Sequence, residues 1–319
     1  MKVVIAGASG FIGQYLVRDF RASGDDVVTV GRPGSDATWG DAAGIRELVD
    51  GADVVINLAG KSVNCRYNAK NRAEILRSRV DTTRELGHAI RDAASPPAVW
   101  LNSSTATIYR HAEDRPMTES TGELGTGFSV SIARAWEDAF FEENLPATRR
   151  VALRTAIVLG NGSALVPLLN LARIGFGGAQ VDGHWFRSKR RIAAGTLHEF
   201  GARGGRQRFS WVHLADVLGV IRFLIAHPDL DGVVNVSSPN PTDSRGVMRT
   251  IRETLRMPVG IPLYRWMLEP GAWAIRTETE LVLKSRWVVP ERLLAVGYEF
   301  RYPEIGAAIA EVVVERRGR

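Results

Sequence analysis

Hydrophobic and polar positions along the chain follow two periods in turn. Short apolar runs rich in Val and Ile occur at residues 2–6, 26–32, 53–60, 98–109 and 150–159. Runs of this kind, bounded by Gly, Asn or Pro, predict strands buried on both faces. Between them the spacing changes to that of one-sided helices. Leu16, Val17 and Phe20 follow the first run, residues 45–49 form a short helical stretch, and residues 67–94 carry Ile75, Leu76, Val80, Leu86 and Ile90 on one face. Ser95-Pro96-Pro97 stops that helix, and another is predicted over 129–144. Strand and helix in alternation predict an α/β chain with a doubly wound parallel sheet and right-handed crossovers. Beyond Gly160 the pattern loosens. Helices are predicted over 164–174, 214–226, 245–255 and 267–283, a strand over 233–236, and a last helix from near Ile305. The expected division is residues 1–160 as one unit, with part of the later chain returning to its sheet. Residues 161–319 form a smaller C-terminal α/β region with a Gly- and Arg-rich insert at 179–208.

With 319 residues, 45% hydrophobic and 24% charged, the chain has the composition of a globular protein with a sizeable core. No apolar run approaches the ~20 residues of a membrane span, so no membrane partner is expected. A core strand at the very start predicts no signal segment, and the expected compartment is the cytoplasm. One cysteine, Cys65, excludes an internal disulfide framework and a Cys-rich metal site. The six histidines show no ligand spacing, so no metal is expected. The net charge of +6 is spread along the chain, with Arg-rich pieces at 187–191, 203–208 and 316–319. No nucleic-acid motif accompanies them, so the charge reads as a solvated surface with some attraction for anionic ligands.

The first strand gives way to Gly7-Ala8-Ser9-Gly10-Phe11-Ile12-Gly13 and then to a helix. Glycines at this junction suit a sharp turn, a backbone that approaches a pyrophosphate, and close helix–strand packing, with the phosphates on the helix N-terminus. The second strand ends in Gly31-Arg32, where a site for NAD(H) would place Asp or Glu. A guanidinium there suits a 2′-phosphate, which predicts NADP(H). The alternative is that Arg32 opens a polar loop with Pro33 and Gly34. Leu58, Ala59 and Gly60, small or apolar at the end of the third strand, would let the dinucleotide lie against the backbone.

The opening glycines, Asn57-Leu-Ala-Gly60 and Ser103-Ser-Thr-Ala-Thr-Ile-Tyr109 resemble the extended short-chain dehydrogenase/reductases, the NAD(P)-dependent epimerase/dehydratase superfamily. Gly160-Asn-Gly-Ser-Ala, Gly175-Phe-Gly-Gly178, Gly205-Arg-Gln-Arg-Phe-Ser-Trp-Val-His213 and Asn235-Val-Ser-Ser-Pro-Asn-Pro241 narrow the likeness to one atypical subgroup. Trp266-Met-Leu-Glu, Thr277-Glu-Thr-Glu-Leu and Leu283-Lys-Ser-Arg-Trp-Val-Val-Pro290 belong to the same pattern. These are the epimerase family proteins with a C-terminal domain of unknown function. The resemblance implies a Rossmann-like core, a small C-terminal substrate region, NADP(H) as cofactor and a homodimer as a weaker expectation. It also implies that Glu74 and Arg79 lie near the cofactor, where the plain reading of the sequence is an exposed helix charge pair.

Standard members of this superfamily place a Tyr-x-x-x-Lys pair on the helix after the fourth strand. There the Lys lowers the pKa of a Tyr that exchanges a proton with the substrate hydroxyl. Aligned on Trp136-Glu137, this chain has Ser129 at the Tyr position and Ala133 at the Lys position. The partner hydroxyl is present as Thr105. Tyr109, the nearby phenol, is either catalytic or a packed aromatic. His213 is either a titratable group of the site or a helix-start residue bonded to backbone. Two classes of function follow. One is an NADP(H)-dependent reductase or epimerase-like enzyme with a remodelled acid/base set, with Arg154, Gln207, Arg208 and His213 holding a polyhydroxylated or anionic small molecule. The other is a non-catalytic NADP(H)-binding sensor or scaffold. The insert around Trp185 and Phe186 would serve as a lid or a partner surface.

Overall fold

A computed structural model describes every residue except Ser163, Arg203 and Arg319. The Gly160-Asn-Gly-Ser-Ala motif and the insert therefore each include one residue outside the described set. The strands are β1 (Lys2–Ala6), β2 (Asp26–Gly31), β3 (Ala37–Thr38), β4 (Val54–Asn57), β5 (Val99–Thr105), β6 (Arg149–Thr155), β7 (Ile157–Leu159), β8 (Gln180–Val181), β9 (Arg208–Phe209), β10 (Trp211–His213), β11 (Gly232–Val236), β12 (Thr242–Asp243) and β13 (Leu263–Tyr264). The α-helices are α1 (Phe11–Ala22), α2 (Ala42–Val49), α3 (Ala69–Arg91), α4 (Phe128–Glu142), α5 (Leu165–Arg173), α6 (Lys189–Ala193), α7 (Leu214–Ala226), α8 (Ser244–Leu255), α9 (Arg265–Ala274), α10 (Glu280–Leu283), α11 (Glu291–Ala295) and α12 (Ile305–Arg317).

Seven strands form one parallel sheet in the order β11-β6-β5-β4-β1-β2-β3. The chain leaves β1 toward β2 and β3, then returns to β4 and runs the other way. The switch point is thus the crevice between the carboxyl ends of β1 and β4, where open α/β sheets bind ligands. One face of the sheet packs Val3, Ile5, Val54 and Leu101 with α1 and α7 through Leu16, Phe20, Ile221 and Leu224. The other packs Val4, Val55 and Trp100 with α2, α3 and α4 through Ile45, Leu86 and Phe140. A smaller cluster joins α5, α8 and α12 with Trp211.

Three elements differ from the sequence expectation. The strand predicted over 150–159 breaks at Ala156. Its first part stays beside β11, whose last paired residue, Val236, accepts the Ala156 N–H at 2.9 Å. With that ladder ended, β7 pairs with β10 instead. The strand predicted over 98–109 ends at Thr105, whose hydroxyl accepts the Thr107 N–H and starts a 3-10 turn, Ala106–Ile108. The helix predicted over 267–283 is two helices. Arg276 takes a left-handed backbone conformation (φ 58°) and the Thr277 N–H folds back to the Ala272 carbonyl, which ends α9. Ile275, Thr277 and Thr279 are β-branched and do not favour continuing it.

The insert is anchored by buried charge. Arg265, almost fully buried, donates to Asp182 Oδ1 (3.1 Å), Gly183 O (3.2 Å) and His198 O (2.8 Å), and Arg191 pairs with Glu269 at 3.1 Å. These contacts tie residues 182–198 of the insert to α9. Its middle lies across the N-termini of α3 and α4, where Gly195 O accepts the Phe128 N–H at 3.0 Å and Ala194 O accepts from Arg72 at 2.8 Å. Among the described residues, no helix is long and apolar enough to cross a membrane.

Candidate functional site: a glycine cradle and a buried polar cluster

At the switch point, Gly7 turns the chain with φ +80°, and a Cβ there would lie 2.7 Å from the Leu58 carbonyl carbon. A Cβ on Gly13 would lie 2.8 Å from Ala8 Cα, so the first turn of α1 packs on the loop only because both residues lack one. α1 starts after Gly10 with no side-chain cap, which leaves its first N–H groups open to an anion. The Phe11 ring lies against Gly160 and Gly162, and Ile12 packs on the core, so both turn their backbones toward the cradle. Arg32 is exposed and reaches back over the loop to donate to Ser9 Oγ at 3.4 Å. Gly31 is buried at the end of β2, where its carbonyl accepts the Trp39 N–H at 3.0 Å. Across the crevice Ala6 O holds the Leu58 N–H (2.9 Å) and Asn57 Oδ1 holds the Ala59 N–H (3.0 Å). Asn57 is itself fixed by Asn102 (2.6 Å) and Thr83 (3.1 Å). A backbone nest of this shape with an arginine at its rim fits a dinucleotide pyrophosphate and a 2′-phosphate.

Glu74 and Arg79 do not form the charge pair that their sequence spacing suggests. Glu74 binds Lys61 at 2.8 Å and remains half exposed. Arg79 donates to Lys61 O (3.0 Å) and Ile75 O (3.1 Å), stacks on Trp136, and packs under Gly60. It braces the turn after β4 from below.

A second group of residues gathers where β5 ends. The Thr105 hydroxyl accepts from Thr107 N at 3.1 Å and keeps its own proton free to donate. Ser129, on the first turn of α4, donates to Glu280 Oε2 at 2.9 Å, and the adjacent Phe128 ring packs on Tyr67 at 4.9 Å. Tyr67 is buried, which raises its pKa well above the ordinary phenol value. Lys284, also buried, donates to Thr107 O at 2.7 Å, and Arg286 donates to Thr107 Oγ1 at 3.1 Å. Burial and the neighbouring Arg286 cation push the Lys284 ammonium down to about 8. Ala133 is sealed into a core of Tyr109, Met117 and Val288, leaving no space for a lysine on that turn of α4. None of Tyr67, Glu280, Lys284 and Arg286 is legible as part of the site from spacing. The signal present is the run of charges within residues 277–286.

The residues expected on the substrate side are mostly committed elsewhere. Arg154 is buried and bidentate to Glu137 (2.9 and 2.7 Å), and it also donates to the Tyr109 hydroxyl at 2.9 Å. Tyr109 is buried, donates to Asn235 Oδ1 at 2.9 Å, and has its pKa raised by desolvation. Its phenol is a packed strut, closed off from solvent. Gln207 is buried and donates to Gln180 O and Val282 O. Arg208 stacks on the Trp287 ring at 4.3 Å and is partly exposed. His213 caps α7. Its Nδ1 accepts the Ala215 N–H (3.2 Å), which leaves Nε2 to donate to Glu311 (3.0 Å), and burial lowers its pKa. It also lines a groove of about 800 Å³ that runs from Ser9 and Phe11 along α1.

The sheet order, the cradle and its rim arginine define an NAD(P)-binding protein of the Rossmann-like epimerase/dehydratase class. Residues 3–131 match the model of the NAD dependent epimerase/dehydratase family, and residues 266–312 match a domain of unknown function, DUF1731. Over 322 residues the chain is 30% identical to the epimerase family protein SDR39U1 of Bos taurus, covering 98% of this chain and all of that one. It is 26% identical to the epimerase family protein YfhF of Bacillus subtilis, with 99% of each covered. The crystal structure of human SDR39U1 with NADPH superimposes with a TM-score of 0.82 at 28% identity, over 98% of this chain and 99% of that one. The chain belongs to the epimerase family proteins, the atypical extended short-chain dehydrogenase/reductases with the DUF1731 domain.

Proposed function

We propose that this chain binds NADP(H) and acts as an oxidoreductase or epimerase-type enzyme on a polyhydroxylated or anionic small molecule. The bound relative supports the cofactor, as do Gly7, Gly10, Phe11, Ile12 and Gly13 for the pyrophosphate, Arg32 with Ser9 for the 2′-phosphate, and Leu58 and Ala59 beside the adenosine. The cofactor supplies hydride transfer when bound. The observation that carries the enzymatic reading is Lys284, which brings an ammonium with its pKa lowered to about 8 to the end of β5 from the C-terminal region. The standard lysine position is filled there by Ala133. In this reading Thr105 donates a hydrogen bond to a substrate oxygen, and Ser129 is held by Glu280 so that its oxygen accepts one. Lys284 gives or takes the proton that the usual Tyr would carry, because a group with a pKa near the working pH exchanges protons most effectively.

NADPH oxidation screened against carbonyl substrates and nucleotide sugars tests this reading, with calorimetry of NADPH and NADH alongside. Turnover that falls in Lys284→Met while NADPH affinity holds supports it. Arg32→Asp should weaken NADPH binding about 10- to 100-fold and leave NADH unaffected, since it removes a charge-assisted contact to the 2′-phosphate. NADPH binding with no turnover of any substrate favours the sensor or scaffold instead.

A further inference from the structure

A cavity of about 480 Å³ lies between the N-terminus of α3, the α6 turn of the insert and the end of α9. Four arginines, Arg66, Arg72, Arg190 and Arg191, and one acid, Glu278, are among the residues that line it. That carboxylate is already used, by Arg66 at 3.3 Å and by the Tyr67 N–H at 2.9 Å. Arg191 is held by Glu269, outside the cavity. Arg72 gives one nitrogen to Ala194 O, and its buried Nε has no acceptor. Arg190 is exposed and enters no ion pair among the described residues. Two arginines on the lining, Arg72 and Arg190, therefore have no acidic partner among the described residues, at the positive end of a 23-residue helix. The Trp273 ring stands at the rim, 72% exposed.

Resting on the enzymatic reading above, we infer that this cavity seats the phosphoryl or carboxylate end of the substrate, held by Arg72 and Arg190 and covered by Trp273. Tyr67 is the shared wall. It lines the cavity, and its ring packs at 4.9 Å on Phe128, the residue before Ser129. A ligand anchored by its anionic end thus lies beside the start of α4, whose first turn carries Ser129. Arginine suits both anions because its planar fork matches two oxygens at once. The inference replaces Arg154 and Gln207 as the anion contacts, since both are consumed inside the fold.

The test titrates the full chain with inorganic phosphate, pyrophosphate and malonate by calorimetry at fixed ionic strength, with NADPH saturating so that the glycine cradle is closed to them. Expected is saturable binding of at least one probe, with a fluorescence change that Trp273→Phe removes. Arg190→Gln should weaken it about tenfold, and Arg72→Gln with Arg190→Gln about a hundredfold, roughly 1.4 kcal/mol per guanidinium lost. Arg190 is exposed, so its variant keeps the fold, and melting temperature checks the double variant. Preference for pyrophosphate or for malonate identifies the phosphoryl or carboxylate source. Affinity unchanged in Arg190→Gln and in the folded double variant overturns the site. Anion binding without turnover of any substrate leaves the site standing and removes the enzyme. Turnover without anion binding removes the site alone.

Discussion

The glycine cradle and the polar cluster at β5 are built on opposite principles. The cradle is made of backbone from one stretch of thirteen residues, with a single arginine added from the next strand. The cluster is made of side chains far apart in sequence, such as Thr107 and Arg286, 179 residues from each other. The first needs β1, α1 and the turn after β4 to be packed against one another. The second exists only when the C-terminal region is docked on the sheet. In the proposed function, cofactor binding and substrate chemistry thus depend on different parts of the fold, and substitutions can separate them.

The largest effect is expected from Arg265→Met. It leaves Asp182 buried without its cation and Glu269 with Arg191 alone, a loss of about 3–5 kcal/mol. Chemical denaturation should show the C-terminal region unfolding earlier while NADPH still protects the cradle. A single unfolding transition shifted as a whole would mean the two regions are not separable. Gly13→Ala attacks the other side. The added Cβ meets backbone, so NADPH affinity by calorimetry should fall about 100-fold, roughly 2.7 kcal/mol. The anion site beside Trp273 should be untouched.

A smaller, pH-dependent effect comes from His198. Burial and the cations of Arg265 and Arg191 push its pKa down to about 3, so it is neutral in the fold. The unfolded chain takes up this proton near pH 6.5, so stability falls as pH drops from about 6.5 toward 3, by up to about 1.4 kcal/mol per pH unit. His198→Gln should flatten that part of the stability–pH curve. A curve of unchanged slope would place the acid sensitivity elsewhere. Glu74→Gln is expected to do least. Its pairing with Lys61 is at the surface, and NADPH affinity should stay within about twofold. A larger loss would bring Glu74 to the cofactor after all.

What the sequence made legible follows the same division. Gly7, Gly10 and Gly13 carry their meaning in their spacing, because turn, cradle and helix start lie within one local segment. Arg32 is legible for the same reason, one strand later. Arg154 misleads because a charge in a central strand looks like a ligand contact. The correcting signal is Glu137, an acid on the buried face of α4 that needs a cation of its own. Tyr67, Glu280 and Lys284 have no such local marker. Their roles come from long-range docking, and spacing along the chain says nothing about which of them meet.

The Glu137–Arg154 pair has one more consequence. With Ser104 donating to the same carboxylate at 2.5 Å, it fixes the rotation of α4 about its own axis against the sheet. Ser129 lies about two turns earlier on that helix, so its azimuth is set by a contact buried well away from it. Ala133 is inward by the same phase. Writing Tyr and Lys back into positions 129 and 133 would drive the lysine into the packed layer beneath Val288. The pair of the standard members is therefore barred by the gearing of the helix, and installing it would require the core beneath α4 to change first.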